Sequence, residues 1–257
     1  MALVAATALE YAAWDFAAKQ RSVPVWRLLS ESAPPPCGIY ATFFGLENAD
    51  ATVSELVSAH ALEANVKKIG ADKDIALKRL ADATGTELSS WAIDFKAQYG
   101  LDDARSMLHR LPDGLAWVEE PLPPHEIDLL ALLQARHPIA AGEHFYSVFE
   151  FSSAREHGVS IFQPDPVFSG GLDHYIRIAS SLSRHGDFYP HGNGLIPALH
   201  VAGITTNAPV LEFHFGLEAK RQVLWQHKII PDKSATVHAP HQPGWLGDMC
   251  ETVKILE

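Results

Sequence analysis

Short apolar runs alternate with amphipathic segments along most of this chain. Eight runs have the composition of buried β-strands, and they lie at residues 38–44, 65–69, 91–95, 116–119, 139–142, 160–163, 187–190 and 210–213. Apolar residues recur at helical spacing in segments between these runs, at residues 74–84, 102–111, 127–136 and 172–185. Because strands that alternate with helices form a parallel sheet, eight such units predict an α/β fold of the closed (β/α)8 barrel type.

An open, doubly wound sheet is the structural alternative to the barrel. That fold commonly carries a glycine-rich phosphate-binding loop directly after its first strand. No such loop follows residues 38–44, and the pattern therefore favours the barrel.

The residues before the first predicted strand have the pattern of two helices. Glu10 interrupts the apolar run at the start of the chain and no basic segment precedes it, which argues against a signal peptide. Helical spacing continues to about Arg21, and Pro24 ends this helix. A second, short helix is predicted over Val25–Leu29, before the proline-rich turn at residues 32–36.

Composition and charge restrict the classes of partner. Of the 257 residues, 47% are apolar and 20% are charged, which is typical of a folded globular protein. The net charge of -11, without a run of lysine and arginine, argues against binding nucleic acid or an anionic membrane surface. No apolar stretch approaches the length of a membrane span. Because Cys37 and Cys250 alone form no disulfide framework, we expect a cytoplasmic protein.

Polar side chains stand at the carboxyl ends of seven predicted strands. They recur at intervals of 26, 25, 24, 22, 26 and 21 residues and are Lys68, Asp94, Glu119, Glu143, Asp165, His191 and Glu212. Because the carboxyl ends of barrel strands meet at one mouth, these residues are expected to converge on a single site.

Three consecutive members of this series, Asp94, Glu119 and Glu143, are carboxylates. Like charges held close together cannot all remain ionised without a cation. Oxygen ligands without thiolates suit a hard divalent ion, and we therefore predict a site for Mg²⁺, with Mn²⁺ as a possible substitute.

An ordered series of short motifs resembles the mandelate racemase subgroup of the enolase superfamily. The motifs lie at residues 8–19, 24–29, 117–121, 141–143, 163–165, 170–172, 190–192 and 210–212. The resemblance implies a (β/α)7β TIM-type barrel at residues 37–215, flanked by parts of an α+β capping domain at residues 1–36 and 216–257. It also implies that the N-terminal half of this cap has no counterpart in the sequence, which would leave Leu9, Trp14 and Phe16 uncovered.

The same resemblance implies Mg²⁺ on Asp94, Glu119 and Glu143, and removal of the proton next to a substrate carboxylate. Asp165 and His191 come from adjacent strands and are expected to pair, so that His191 acts as the general base. Glu212 is expected to hydrogen-bond the substrate or another residue of the site.

The family usually carries two inward lysines on the second strand, and this chain departs from that pattern. Alternation along the strand places Val66 and Lys68 inside the barrel and Lys67 outside. Without a second inward lysine, Lys68 is a doubtful base, and an electrostatic role toward the substrate is the alternative. Lys96 is predicted on the same strand face as Asp94, where it would replace the missing cation or act as an acid toward a leaving hydroxyl, and an exposed lysine in a loop is the alternative.

These assignments favour dehydration of a sugar acid, because His191 alone can remove the α-proton and then protonate the leaving β-hydroxyl. Racemisation or epimerisation of a 2-hydroxy acid is one alternative, and it requires bases on both faces of the substrate. A non-catalytic, incomplete barrel is the other. His144, in the segment Gly142–His144, is expected to face substrate hydroxyls, to support the neighbouring metal ligand, or to face solvent. We also expect the protein to form a homo-oligomer.

Overall fold

The computed structural model describes residues 2–43, 64–70, 81–82, 84–182, 187–205 and 209–250. The predicted helix at residues 74–84 lies largely outside these ranges. The predicted helix at residues 172–185 extends beyond them at its end. The last residue of the first predicted strand, Phe44, also lies outside them.

Nine strands and seven α-helices are described in these ranges. The strands are β1 (Cys37–Phe43), β2 (Lys67–Gly70), β3 (Trp91–Asp94), β4 (Trp117–Glu119), β5 (Ile139–Ala141), β6 (Val159–Phe162), β7 (Asp187–Phe188), β8 (Leu211–His214) and β9 (Thr236–Val237). The helices are α1 (Ala2–Gln20), α2 (Val25–Leu29), α3 (Leu101–Arg110), α4 (Val148–Glu156), α5 (Leu172–Leu182), α6 (Leu195–Val201) and α7 (Phe215–Arg221). Short 3₁₀ helices are Leu88–Ser90, Pro124–Leu133, Gly192–Gly194 and Gln222–Leu224.

The first eight strands form a parallel sheet in the order β7-β6-β5-β4-β3-β2-β1-β8. Backbone hydrogen bonds close this sheet: the Val210 amide donates to the Phe188 carbonyl at 3.4 Å, and the Glu212 amide donates to the Pro190 carbonyl at 3.2 Å. The predicted α/β barrel is therefore confirmed. The added strand β9 pairs antiparallel with the start of β1.

One residue from each barrel strand, or from the position directly beside it, fills the interior below the mouth. This layer consists of Tyr40, Val66, Ala92, Trp117, Ala140, Ile161, Tyr189 and Val210. Because side chains alternate along a strand, the next inward position lies two residues further on. That position carries a polar side chain in seven of the eight units, namely Thr42, Lys68, Asp94, Glu119, Gln163, His191 and Glu212, and Gly142 in the eighth. The barrel thus has an apolar plug with a polar layer directly above it.

The predicted helix at residues 127–136 is instead a 3₁₀ helix, Pro124–Leu133. Its backbone departs from helical geometry at Glu126, and Gln134 ends it in the left-handed region at φ 50°. A proline at the first helical position is compatible with either kind of helix. The segment buries Leu130 and Leu133, but it winds more tightly than the sequence pattern indicated.

Helix α1 lies against the barrel through polar contacts. The Tyr11 hydroxyl donates to the Pro166 carbonyl at 2.8 Å, and a carboxylate oxygen of Glu10 accepts the Leu172 amide at the start of α5 at 3.1 Å. Other apolar side chains of α1 face outward, with Leu9 76% and Phe16 66% exposed. Trp14, by contrast, is half-buried against the core.

Two further expectations concern the cysteines and membrane segments. Cys37 and Cys250 are both free thiols. In the part of the chain that the structure describes, no helix has the length and apolar character needed to cross a membrane.

A buried histidine joins three parts of the fold. His200 on α6 accepts the Trp26 amide of α2 on Nδ1 at 3.0 Å, and its Nε2 donates to the Trp245 carbonyl at 2.7 Å. This arrangement requires the neutral ring, because a proton on Nδ1 would face the Trp26 amide hydrogen. Burial accordingly lowers the pKa of His200 to about 4.

His200 is therefore expected to make the fold sensitive to acid. Between pH 6.5 and about 4, the unfolded chain binds a proton on this histidine that the folded chain does not, so stability falls as the pH falls. Urea unfolding at about pH 7.5 and about pH 5 should show a loss of roughly 2 kcal/mol from this group. His200→Gln, which has a donor and an acceptor but does not titrate, should lose less stability over the same interval. An equal loss in both proteins would contradict the assignment.

Candidate active site

The carboxyl ends of the barrel strands open into a cavity of about 380 Å³. We call it the mouth cavity, and its lining includes Lys68, Asp94, Glu143, His191, Glu212 and Arg221. A larger cavity of about 490 Å³ lies near Ile39 and Phe213, but its described lining includes none of the predicted site residues. The polar layer above the barrel plug therefore faces the mouth cavity.

Lys68 occupies the centre of the polar layer. Its buried ammonium lies 2.5 Å from Oε1 of Glu119, 2.9 Å from Oε1 of Glu212 and 4.0 Å from Oδ2 of Asp94. Burial alone would lower the pKa of Lys68, but Glu119 and Glu212 raise it well above its ordinary value. Lys68 is thus held as a fixed positive charge among carboxylates.

The three carboxylates predicted to bind metal reach the same layer. Burial, together with repulsion from Asp94, Glu212 and Glu143, raises the pKa of Glu119 to about 8 despite the contact with Lys68. Burial likewise raises the pKa of Asp94, and Glu143 adds to that rise. Carboxylates crowded at one point, with oxygen donors alone, fit a divalent cation at Asp94, Glu119 and Glu143.

A second set of possible ligands lies beside the first. Among the described residues, Glu120, Glu143 and His144 form the group whose ligand atoms all lie within 4.8 Å of one another. His144 Nδ1 lies 2.9 Å from Oε2 of Glu120, and this hydrogen bond raises the pKa of His144. Glu120 was not anticipated from the sequence, and it gives His144 a partner within the protein, although His144 also lines the mouth cavity.

Asp165 and His191 lie in direct contact. Nδ1 of His191 is 2.6 Å from Oδ2 of Asp165, and the other carboxylate oxygen accepts the Val167 amide at 2.6 Å. Nε2 of His191 consequently points into the mouth, 2.6 Å from Oε2 of Glu143. Burial would lower the pKa of His191, but Glu212, Asp165 and Glu143 raise it well above its ordinary value.

Other residues of the protein contact both carboxylate oxygens of Glu212. Its Oε1 accepts the Thr42 hydroxyl at 2.5 Å and pairs with Lys68, while its Oε2 accepts the Gly192 amide at 2.7 Å. Burial would raise the pKa of Glu212, but Lys68 and His191 hold it far below its ordinary value. A side chain at position 192 would collide with Glu212, since an added Cβ would lie 3.1 Å from its Cγ.

Lys67 and Lys96 lie outside the polar layer. Lys67 lies on the strand face opposite Lys68, yet it is buried against the outside of the barrel. The placement of Lys96 on the strand face of Asp94 was wrong, because β3 ends at Asp94. Lys96 adopts φ 57°, its amide donates to Oδ1 of Asp94 at 2.7 Å, and its exposed side chain lies at the rim of the mouth cavity.

Sequence reasoning missed two inward residues of the polar layer, Thr42 and Gln163. Nε2 of Gln163 donates to Oε2 of Glu119 at 2.6 Å and to the Tyr40 hydroxyl at 3.2 Å. Each residue stands two positions after an inward residue of the barrel plug, so strand alternation contained the signal. Because both are uncharged, a search for ionisable strand ends did not find them.

The chain is similar in sequence to one protein family and to two named dehydratases. Residues 48–252 match the sequence model of the family described as "Enolase C-terminal domain-like". An arabinonate dehydratase from Saccharolobus solfataricus is 28% identical over 95% of this chain and 69% of its own length. A D-galactonate dehydratase from Xanthomonas euvesicatoria pv. vesicatoria is 26% identical over 81% of this chain, which spans 60% of that relative.

A solved structure supports the same fold. The L-talarate dehydratase from Polaromonas sp. JS666, complexed with Mg and L-glucarate, superposes with a TM-score of 0.77 at 22% identity. The match covers 98% of this chain and 69% of that chain. At this level of identity the similarity establishes a common fold.

Proposed function

Because the chain belongs to the enolase C-terminal domain-like family, we propose that it is a magnesium-dependent dehydratase of a sugar acid. The observation that carries the proposal is the His191–Asp165 pair, whose Nε2 lies 2.6 Å from Glu143 in a cavity that Asp94 also lines. The names of the two dehydratase relatives support the reaction class.

Asp94, Glu119 and Glu143 are the residues that would hold the metal. A bound Mg²⁺ would supply positive charge beside the substrate carboxylate, where negative charge develops as the α-proton leaves, and would neutralise Glu143. Lys68 adds a second, permanent positive charge at the base of the site. Gln163 fixes the orientation of Glu119 through its 2.6 Å hydrogen bond.

His191 is the group that would move protons. Asp165 holds Nδ1, which leaves Nε2 as the atom that accepts the α-proton from the substrate carbon. The same proton can then pass to the β-hydroxyl, which departs as water while the carbon–carbon double bond forms. The resulting enol becomes a 2-keto-3-deoxy acid by tautomerisation.

The state of Lys68 favours elimination over racemisation. A racemase needs a second base on the opposite face of the α-carbon, and the family position for that base is Lys68. Its ammonium is buried between Glu119 and Glu212, which stabilise the charged form. A lysine paired with two carboxylates of the protein must leave these contacts before it can accept a proton from a carbon acid.

A product screen tests the proposed reaction. The purified chain with Mg²⁺ should convert at least one aldonic or aldaric acid into a 2-keto-3-deoxy acid, detected as a semicarbazone by absorbance and by mass spectrometry. Incubation in D₂O separates the alternatives, since a racemase or epimerase would give a deuterated epimer and no keto acid. Formation of an epimer alone would overturn the dehydratase assignment.

A further inference from the structure

Arg221 at the end of α7 bears on the kind of sugar acid that the mouth can accept. Among the residues that the structure describes, it is the one arginine that lines the mouth cavity. A guanidinium is the side chain best suited to hold a carboxylate through two parallel hydrogen bonds. Arg221 would therefore be the natural partner for a second carboxylate at the far end of a dicarboxylic substrate.

The charge of Arg221 is already balanced within the protein. Its Nη1 lies 2.9 Å from Oε1 of Glu218, whose side chain is 4% exposed. The other oxygen of Glu218 accepts Nε2 of Gln222, also at 2.9 Å. Separating a pair with a buried partner leaves an uncompensated charge, so a substrate carboxylate does not readily displace Glu218.

The remaining contacts of Arg221 are directed at the segment that follows the proposed base. Nη1 donates to the Gly192 carbonyl at 2.9 Å, and Nη2 donates to Oδ1 of Asn193 at 2.6 Å. Arg221 thus holds residues 192 and 193, which come directly after His191. Both Nη atoms of Arg221 are therefore engaged by residues of the protein.

The other cations described at the mouth are also matched by carboxylates of the protein or lie in water. Lys68 pairs with Glu119 and Glu212, and His144 faces Glu120. Lys96 is exposed at the rim, where water and salt screen its charge. A second substrate carboxylate would therefore enter a cavity whose described buried cations are already paired with carboxylates, and Lys96 would meet it only as a screened charge in water.

We infer that the site selects sugar acids with a single carboxylate, and that Glu218 enforces this choice by neutralising Arg221. This inference rests on the proposed function. A neutral, hydroxylated tail loses little on entering such a cavity, whereas a second anion is repelled by the carboxylates around it.

D-Galactonate and galactarate provide a matched pair of probes. They have the same configuration at C2 to C5 and differ at C6, which carries a hydroxyl in the first and a carboxylate in the second. The wild-type protein with Mg²⁺ should favour D-galactonate by at least about tenfold, both in kcat/KM and in affinity measured by calorimetry. Glu218→Gln should reduce that preference by about tenfold, because it leaves the charge of Arg221 without its counterion.

Control variants separate this effect from general damage. Asp173→Asn breaks an exposed arginine–carboxylate pair with Arg177 on α5 and should leave the preference unchanged. Arg221→Gln should weaken turnover of both acids by similar factors, because it releases the segment that follows His191. Thermal unfolding by circular dichroism checks that each variant is folded. If Glu218→Gln does not fold, the comparison of the two acids with the wild-type protein still tests the inference.

The outcomes distinguish failure of this inference from failure of the proposed function. Equal or better binding and turnover of galactarate by the wild type would overturn the inference and leave the dehydratase assignment intact. Selective loss of galactarate in Arg221→Gln would also overturn it, by showing that Arg221 holds a substrate carboxylate. Binding and turnover of neither probe, together with a product screen that yields no keto acid, would overturn the proposed function and this inference with it.

Discussion

His191→Asn should lower the turnover of a sugar acid by roughly 10²- to 10⁴-fold, the usual effect of removing a general base. Asparagine retains a group that can hydrogen-bond Asp165 but cannot accept a proton at neutral pH. The loss should therefore fall on kcat, with KM changed much less. Steady-state kinetics with the best acid from the product screen, at saturating Mg²⁺, measure both parameters.

A second histidine–aspartate pair supplies the control for this experiment. Nε2 of His238 lies 3.5 Å from Oδ2 of Asp232, both side chains are exposed, and neither lines the mouth cavity. His238→Asn should therefore retain full turnover. Wild-type kcat in His191→Asn would place the base elsewhere, and Lys68 and Lys96 would be the next residues to replace.

Glu119→Gln should weaken the binding of Mg²⁺ and Mn²⁺ by at least about 100-fold. Loss of even an indirect metal contact typically costs tenfold to 100-fold in affinity, and Glu119 is proposed as a direct ligand. The amide keeps the size of the side chain and removes its charge. Titration calorimetry of the metal-free protein with MnCl₂ gives the affinity and the number of ions bound.

The neighbouring residue Glu120 provides a matched comparison, since it belongs to the alternative ligand group with Glu143 and His144. If the proposed set holds the ion, Glu120→Gln should bind Mn²⁺ much more tightly than Glu119→Gln does. The reverse order, with Glu119→Gln unchanged, would assign the metal to the group of Glu120, Glu143 and His144.

Strand alternation explains why much of the site could be read from the sequence. Val66, Ala92 and Trp117 belong to the barrel plug, and the residues two positions later, Lys68, Asp94 and Glu119, stand above them and were predicted at the site. A period of two and a regular spacing between strands suffice to place these side chains in one layer. Neither feature indicates which side chains touch within that layer.

Lys68 illustrates what sequence spacing could not supply. Its inward orientation followed from alternation on β2, but its contact with Glu212 on β8 depends on closure of the barrel. β1 lies between these two strands, and it presents the small residue Thr42 at this level. The long side chain of Lys68 can therefore reach past β1 to the carboxylate on the far side.

The sequence by itself determined the barrel and the ring of charged strand-end residues, because periodicity and spacing are local properties of the chain. Only the tertiary structure decided how these charges are paired. Arg221 contacts Gly192 and Asn193 across 29 and 28 residues of sequence, and Glu119 meets Gln163 across 44. Pairing of this kind depends on closure of the sheet and on burial. Closure of the sheet brings the partners together, and burial sets the strength of each interaction. Neither effect can be read from the spacing of residues along the chain.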